Sequence, residues 1–119
     1  MIENNETDLE FSIRLLGVDF EAADNIKNQY KILSPELGFY FKDKSLSVVT
    51  FPVFEGLNMD LVNSLLCEYE RSFVEADFFI SISSNVETQI INIPEYVVSA
   101  MRTCVVSVKI SYTVFSDIE

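Results

Sequence analysis

The stretch LEFSIRLL, residues 9–16, decides how this chain is read, because Leu9, Phe11, Ile13 and Leu15 alternate with Glu10, Ser12 and Arg14. A period of two places the apolar set on one face of an extended strand and the polar set on the other, so the strand is half-buried. Gly17 is expected to end it. Asp19 then stands where a helix cap belongs, and Phe20, Ala23, Ile26 and Tyr30 recur at helical spacing until Pro35 bars any continuation. Two β-rich runs follow, GFYFK (38–42) and SLSVVTF (45–51), and the polar pair Asp43-Lys44 between them predicts a hairpin with a tight turn. Pro52 closes the second run or confines its end to a sheet edge.

Asn58 is the expected cap of the longest helix, 59–74, whose apolar stripe is Leu61, Val62, Leu65, Leu66, Tyr69 and Phe73. At about 100° per residue, Asp60, Cys67 and Arg71 point the other way, so Cys67 is expected at the surface. DFFISIS, residues 77–83, reads as a fourth strand, and Pro94 opens a short helix through Arg102. The last strand, 104–115, sets Val106, Val108, Ile110, Tyr112 and Val114 against Ser107, Lys109, Ser111 and Thr113. The order βαββαβαβ predicts an α+β fold whose first six elements form a ferredoxin-like split βαβ sandwich, with a helix and strand appended. The expected sheet is mainly antiparallel with helices on one face. Residues 1–119 read as a single domain, with 1–7 a flexible acidic N-terminus.

Composition restricts function more than it reveals it. The chain has 119 residues, 19 acids against 8 bases, and no histidine, for a formal net charge of −11. Without histidine the commonest general base, the usual activator of a nucleophile and the most frequent transition-metal ligand are all missing. A field of this sign repels nucleic acid and anionic lipid, and it attracts cationic surfaces. Gly17, Gly38 and Gly56 lie too far apart to build a phosphate-cradling loop, so nucleotide hydrolysis is not expected. No apolar run is long enough to span a membrane, and the start MIENNETDLE carries acids and no base, so neither a signal peptide nor an anchor is read. Two cysteines, Cys67 and Cys104, read as free thiols in a reducing cytoplasm. No calcium-loop or zinc-ligand spacing is present, so no metal or cofactor is expected.

Paired carboxylates are the remaining route to catalysis. Glu68 and Glu70 diverge by about 200° on a helix and cannot meet at one substrate atom. Glu75 and Asp77 fall at the expected turn into a strand, where acids commonly face water. The chain is therefore read as a non-enzyme. Its densest acidic segment is 55–77, with Glu55, Asp60, Glu68, Glu70, Glu75 and Asp77 against the single base Arg71. The plain reading is an acidic surface that keeps the protein dissolved. The sharper reading is a partner-binding surface that steers a cationic protein onto it, with Phe79 and Phe115 as apolar anchors on the face opposite the core.

LEFSIRLLGVDFEAADNI, the following SPELG, and the closing IINIPEYVVSAMRTCVVSVKISYTVF resemble a family of small bacterial proteins known as domain of unknown function 4279. The chain lacks the tryptophan that members often carry in their central strands, and Ile93 stands where a small polar residue usually precedes the proline. The family's members look like immunity genes beside polymorphic or contact-dependent toxins. The resemblance thus implies an immunity or antitoxin-like inhibitor that neutralises a cognate bacterial toxin domain by direct binding, with no catalytic residues to carry over. Together with the charge it points to a cationic nuclease as that partner. Two rivals stand beside it: a small regulatory domain that binds a ligand between sheet and helices, and a structural module that homodimerises through its edge strands.

Overall fold

The alternation about Ile13 extends beyond LEFSIRLL, for the first strand, β1, runs Thr7–Val18. The computed structural model describes residues 6–104 and 106–115. The expected flexible N-terminus therefore falls outside the described residues over 1–5, while Thr7 already belongs to β1. Gly17 does not end the strand, as expected from sequence, but sits within it at φ +74°, where the register with the neighbouring strand slips between Leu16 and Val18. Such a bulge needs a left-handed residue, which glycine supplies without steric cost.

Asp19 caps α1 (Phe20–Gln29) by accepting the Ala22 amide hydrogen at 2.9 Å. A short 3-10 turn, Lys31–Leu33, leads to β2 (Glu36–Phe39) and β3 (Ser47–Pro52). The hairpin between them is wider than the tight Asp43-Lys44 turn expected. Tyr40 N–H donates to Leu46 O, and Asp43 turns its carboxylate back to the amide and hydroxyl of Ser45. That local bond lets an Asp mimic a backbone turn, so the loop closes early and β2 stays short.

Asn58 caps α2 (Met59–Glu68), as expected, but the helix stops well before residue 74. Tyr69 leaves the helical region at φ −108°, ψ 17°, and its ring meets Tyr30 edge-on at 6.4 Å between centroids. Phe73 still packs against the core from the turn beyond, which is why it extends the helical stripe in sequence without extending the helix. After β4 (Glu75–Ser84), Pro94 occupies the cap of α3 (Glu95–Thr103) rather than its first position. The last strand, β5, is Ser107–Val114, shorter than expected because Cys104 ends α3.

The five strands form one mixed sheet in the order β2-β3-β1-β4-β5. β1 pairs antiparallel with both β3 and β4, β2 pairs antiparallel with β3, and β5 alone runs parallel to its neighbour β4. Ile13, Leu15, Val49, Phe51, Phe78 and Ile80 lie on one face of the sheet and join Ala23 and Ile26 of α1, Val62 and Leu65 of α2, and Val97 and Ala100 of α3 in a single apolar cluster. The other face of β1, β3 and β4 carries no helix from this cluster and remains open for polar side chains.

The bulge is also a packing device. A Cβ on Gly17 would lie 2.6 Å from Val74 Cγ2 and 3.2 Å from the Tyr40 ring. Gly17→Ala is therefore expected to cost about 2 kcal/mol or more, from left-handed backbone strain plus displacement of Val74. Gly38→Ala, where nothing lies within 4 Å, is expected to be neutral or slightly stabilising. Urea midpoints of the two variants check the contrast, and equal midpoints would contradict the role given to Gly17.

Candidate binding surfaces

The six acids of segment 55–77 do not form one patch. Glu55 lies in the turn before α2, Asp60 in the first turn of α2, and Glu70 just past its C-terminus. All three are exposed, and their carboxylates make no hydrogen bond or ion pair among the described residues. They are strung along α2 and the turns that flank it. Their charge is therefore uncompensated within the described residues.

Glu68 has a different role. It accepts the Tyr30 hydroxyl hydrogen and both contacts from Gln29 Nε2, while Tyr69 Oη donates to Gln29 Oε1 at 2.8 Å. The two tyrosines cap α1 and α2, so this cluster ties together the C-terminal ends of both helices. The hydrogen bond to Glu68, followed by burial and the nearby carboxylate charge, pushes the Tyr30 pKa up from 10.0 to about 12.

Glu75 and Asp77 lie on the opposite side of the sheet, and the expectation that both face water fails for Asp77, whose side chain is 0% exposed. Arg14 and Asp77 are direct cross-strand partners in the β1–β4 pairing. Arg14 Nε and Nη2 donate to the two Asp77 carboxylate oxygens at 2.8 and 2.7 Å, a bidentate geometry that suits a planar guanidinium. The same guanidinium sits over the Phe79 ring, 3.8 Å from its centroid. Lys109 of β5 completes the network, bonding Glu75 at 2.8 Å and approaching Asp77 at 3.5 Å. Lys109 holds the Glu75 carboxyl below its ordinary range, and Glu75 in turn raises the Lys109 pKa.

The network forms part of the wall of a solvent-open depression of about 530 Å³. Its other wall is the end of β2 and the loop after it, where Phe39 and Phe41 are 80% and 82% exposed and Lys42 lies 5.8 Å from the Phe41 ring. Within this network Arg14 and Lys109 balance Glu75 and Asp77, while Glu10 and Glu36, exposed elsewhere on the same face, keep it acidic. Phe79 does lie on this face, as alternation predicts, but as the platform for Arg14, while Phe115 is half-buried.

Sequence reading missed Arg14, Lys109, Phe39 and Phe41. Alternation did place Arg14 and Lys109 as the sole cations on the polar sides of their strands, but only the strand order shows that both converge on β4. Cys67 is exposed as expected, and Cys104 is a buried free thiol whose pKa burial pushes up. Among the described residues, no three of His, Cys, Asp and Glu gather at metal-binding distance, and no helix is long and apolar enough to cross a membrane.

Asp77→Ala is expected to cost about 2 kcal/mol in chemical denaturation, below the roughly 3–5 of a fully buried broken pair because Arg14 keeps access to water. Lys109→Ala, at an exposed pair, should leave the midpoint nearly unchanged. A large loss for Lys109 and none for Asp77 would reverse the assignment.

Because the folded-state pKa of Tyr30 lies above its ordinary value of 10.0, its proton stabilises the fold fully below pH 10, and that contribution is lost as pH rises toward about 12. Thermal melting across this range should fall in the wild type and flatten in Tyr30→Phe. Parallel decline in both would remove Tyr30 as the cause.

No protein-family model, no curated protein and no solved structure matches this chain.

Proposed function

We propose that this chain is an immunity or antitoxin-like inhibitor that acts in the cytoplasm without catalysing a reaction. It binds a cognate bacterial toxin domain of cationic character, such as a nuclease, and neutralises it. The observation that carries this reading is the uncompensated charge of Glu55, Asp60 and Glu70 along α2, on a chain of net charge −11. Carboxylates that hold no internal partner need break no internal bond to turn toward a cationic surface, and their field speeds encounter. The binding surface is thereby narrowed to these three acids, since Glu68 ties α1 to α2 while Glu75 and Asp77 are neutralised by Lys109 and Arg14.

The scaffold under this surface is read as a ferredoxin-like split βαβ unit with an αβ pair appended. That reading is supported by the order β2-β3-β1-β4 and its antiparallel pairings, with α1 linking β1 to β2 and α2 linking β3 to β4. The resemblance to small bacterial immunity-like proteins, carried by the opening and closing strands, points the same way. The rival ligand-binding reading finds the space between sheet and helices filled by Phe51, Phe78, Ile26 and Leu65.

The test is bacterial survival when this chain is co-expressed with the C-terminal domain of the protein encoded immediately upstream. Rescue that depends on this chain is expected. A harmless domain, or equal killing with and without the chain, overturns the function. Glu55→Lys with Asp60→Lys and Glu70→Lys should slow association with the rescued domain roughly tenfold or more at low salt while leaving circular dichroism unchanged. Unchanged association with intact rescue would overturn the surface and spare the function.

A further inference from the structure

Both edge strands leave apolar side chains uncovered, but β2 presents only Leu37 and Phe39, whereas β5 presents four along eight residues. None of residues 107–114 belongs to the core cluster or packs against it. Yet Val108, Ile110 and Tyr112 pair side by side with Phe78, Ile80 and Ile82, which are buried. The helix layer therefore ends over β4. Beyond it Val108, Ile110, Tyr112 and Val114 form a continuous apolar stripe along the edge, with Ile110 65% exposed. Tyr112 alone is tied down, its hydroxyl donating to Val86 O.

The backbone of this edge is equally available. Phe115 N–H donates to Ser84 O at 2.9 Å, so by alternation the odd-numbered residues turn their amides to β4 and the even-numbered ones turn theirs outward. Natural sheets blunt such edges with short strands, prolines, bulges or outward charges. The opposite edge of this sheet is treated that way: β2 has four residues, follows Pro35 and contains Gly38. β5 has eight residues, no proline and an unbroken register with β4. Its one charge, Lys109, is engaged by Glu75 and Asp77 on the open face.

We propose that β5 pairs with β5 of a second copy of this chain, antiparallel about a twofold axis, joining two five-stranded sheets into one of ten strands. The strand is self-complementary. A twofold axis through Ile110 sets Val108 opposite Tyr112 and Lys109 opposite Ser111, and an axis through Ser111 sets Val108 opposite Val114 and Lys109 opposite Thr113. In both registers the apolar stripes lie on one face and no lysine meets a lysine. β5 itself carries no acid, so it presents no charge that would select the cationic partner proposed for the α2 acids.

Light scattering and sedimentation of the purified chain test the pairing, in high salt so that repulsion between two molecules of charge −11 is screened. The wild type is expected at twice the 13.6 kDa chain mass. Ile110→Pro removes an outward amide without touching the β4 ladder, and Val108→Lys with Ile110→Lys puts like charges across the axis. Each variant should run at the single-chain mass with unchanged circular dichroism. A wild type that stays at the single-chain mass at the highest attainable concentration overturns the proposal, as does a dimer that survives in both variants.

Discussion

Everything in this fold is hung on β1, which is hydrogen-bonded along both of its edges. Its side chains divide the molecule: Ile13 and Leu15 face the helices, while Arg14 faces the open side and seizes Asp77. Gly17 makes the arrangement possible at the far end. The bulge there turns the strand, lets Tyr40 and Val74 approach the backbone, and leaves Leu16 O free to accept the Val74 amide hydrogen at 2.9 Å. The hairpin loop and the entry to β4 are both anchored at this one residue. A bulky residue in its place would have to displace both.

The Arg14–Asp77 pair is the polar counterpart of the apolar core. A buried carboxylate is costly to desolvate, and it is tolerated here because a bidentate guanidinium and a second cation satisfy it. The ring of Phe79 holds the guanidinium in place from the other side. One consequence is a division of labour between faces. Around Arg14 the sheet face is locked by internal ion pairs, whereas Glu55, Asp60 and Glu70 in and beside α2 keep no internal partner among the described residues.

Local order was legible in the residues. Period-two alternation gave β1, β4 and β5, and side-chain chemistry gave the caps Asp19 and Asn58, because both signals act within a few residues. What could not be read depends on partners distant in the chain. Asp77 looks like any acid near a turn until Arg14, far away in sequence, is known to lie opposite. Glu68 looks like surface charge until Tyr30 reaches it, and Phe73 looks helical because core contact imitates the helical period. Gly17 carried an ambiguous signal, since a glycine after an alternating run ends a strand or bulges it, and only the register decides. The acidic segment was thus correct as composition, but three of its six members are committed to internal bonds.

The central claim is that this chain meets a cationic toxin domain with the uncompensated acids along α2. The most direct measurement is amide chemical-shift mapping of the labelled chain as the C-terminal domain of the upstream neighbour is added, at low and at high salt. The account predicts perturbations centred on residues 55–70, weakening as salt rises, with the strands around Arg14 and Asp77 undisturbed. Perturbations confined to the open sheet face, or a pattern indifferent to salt, would contradict it.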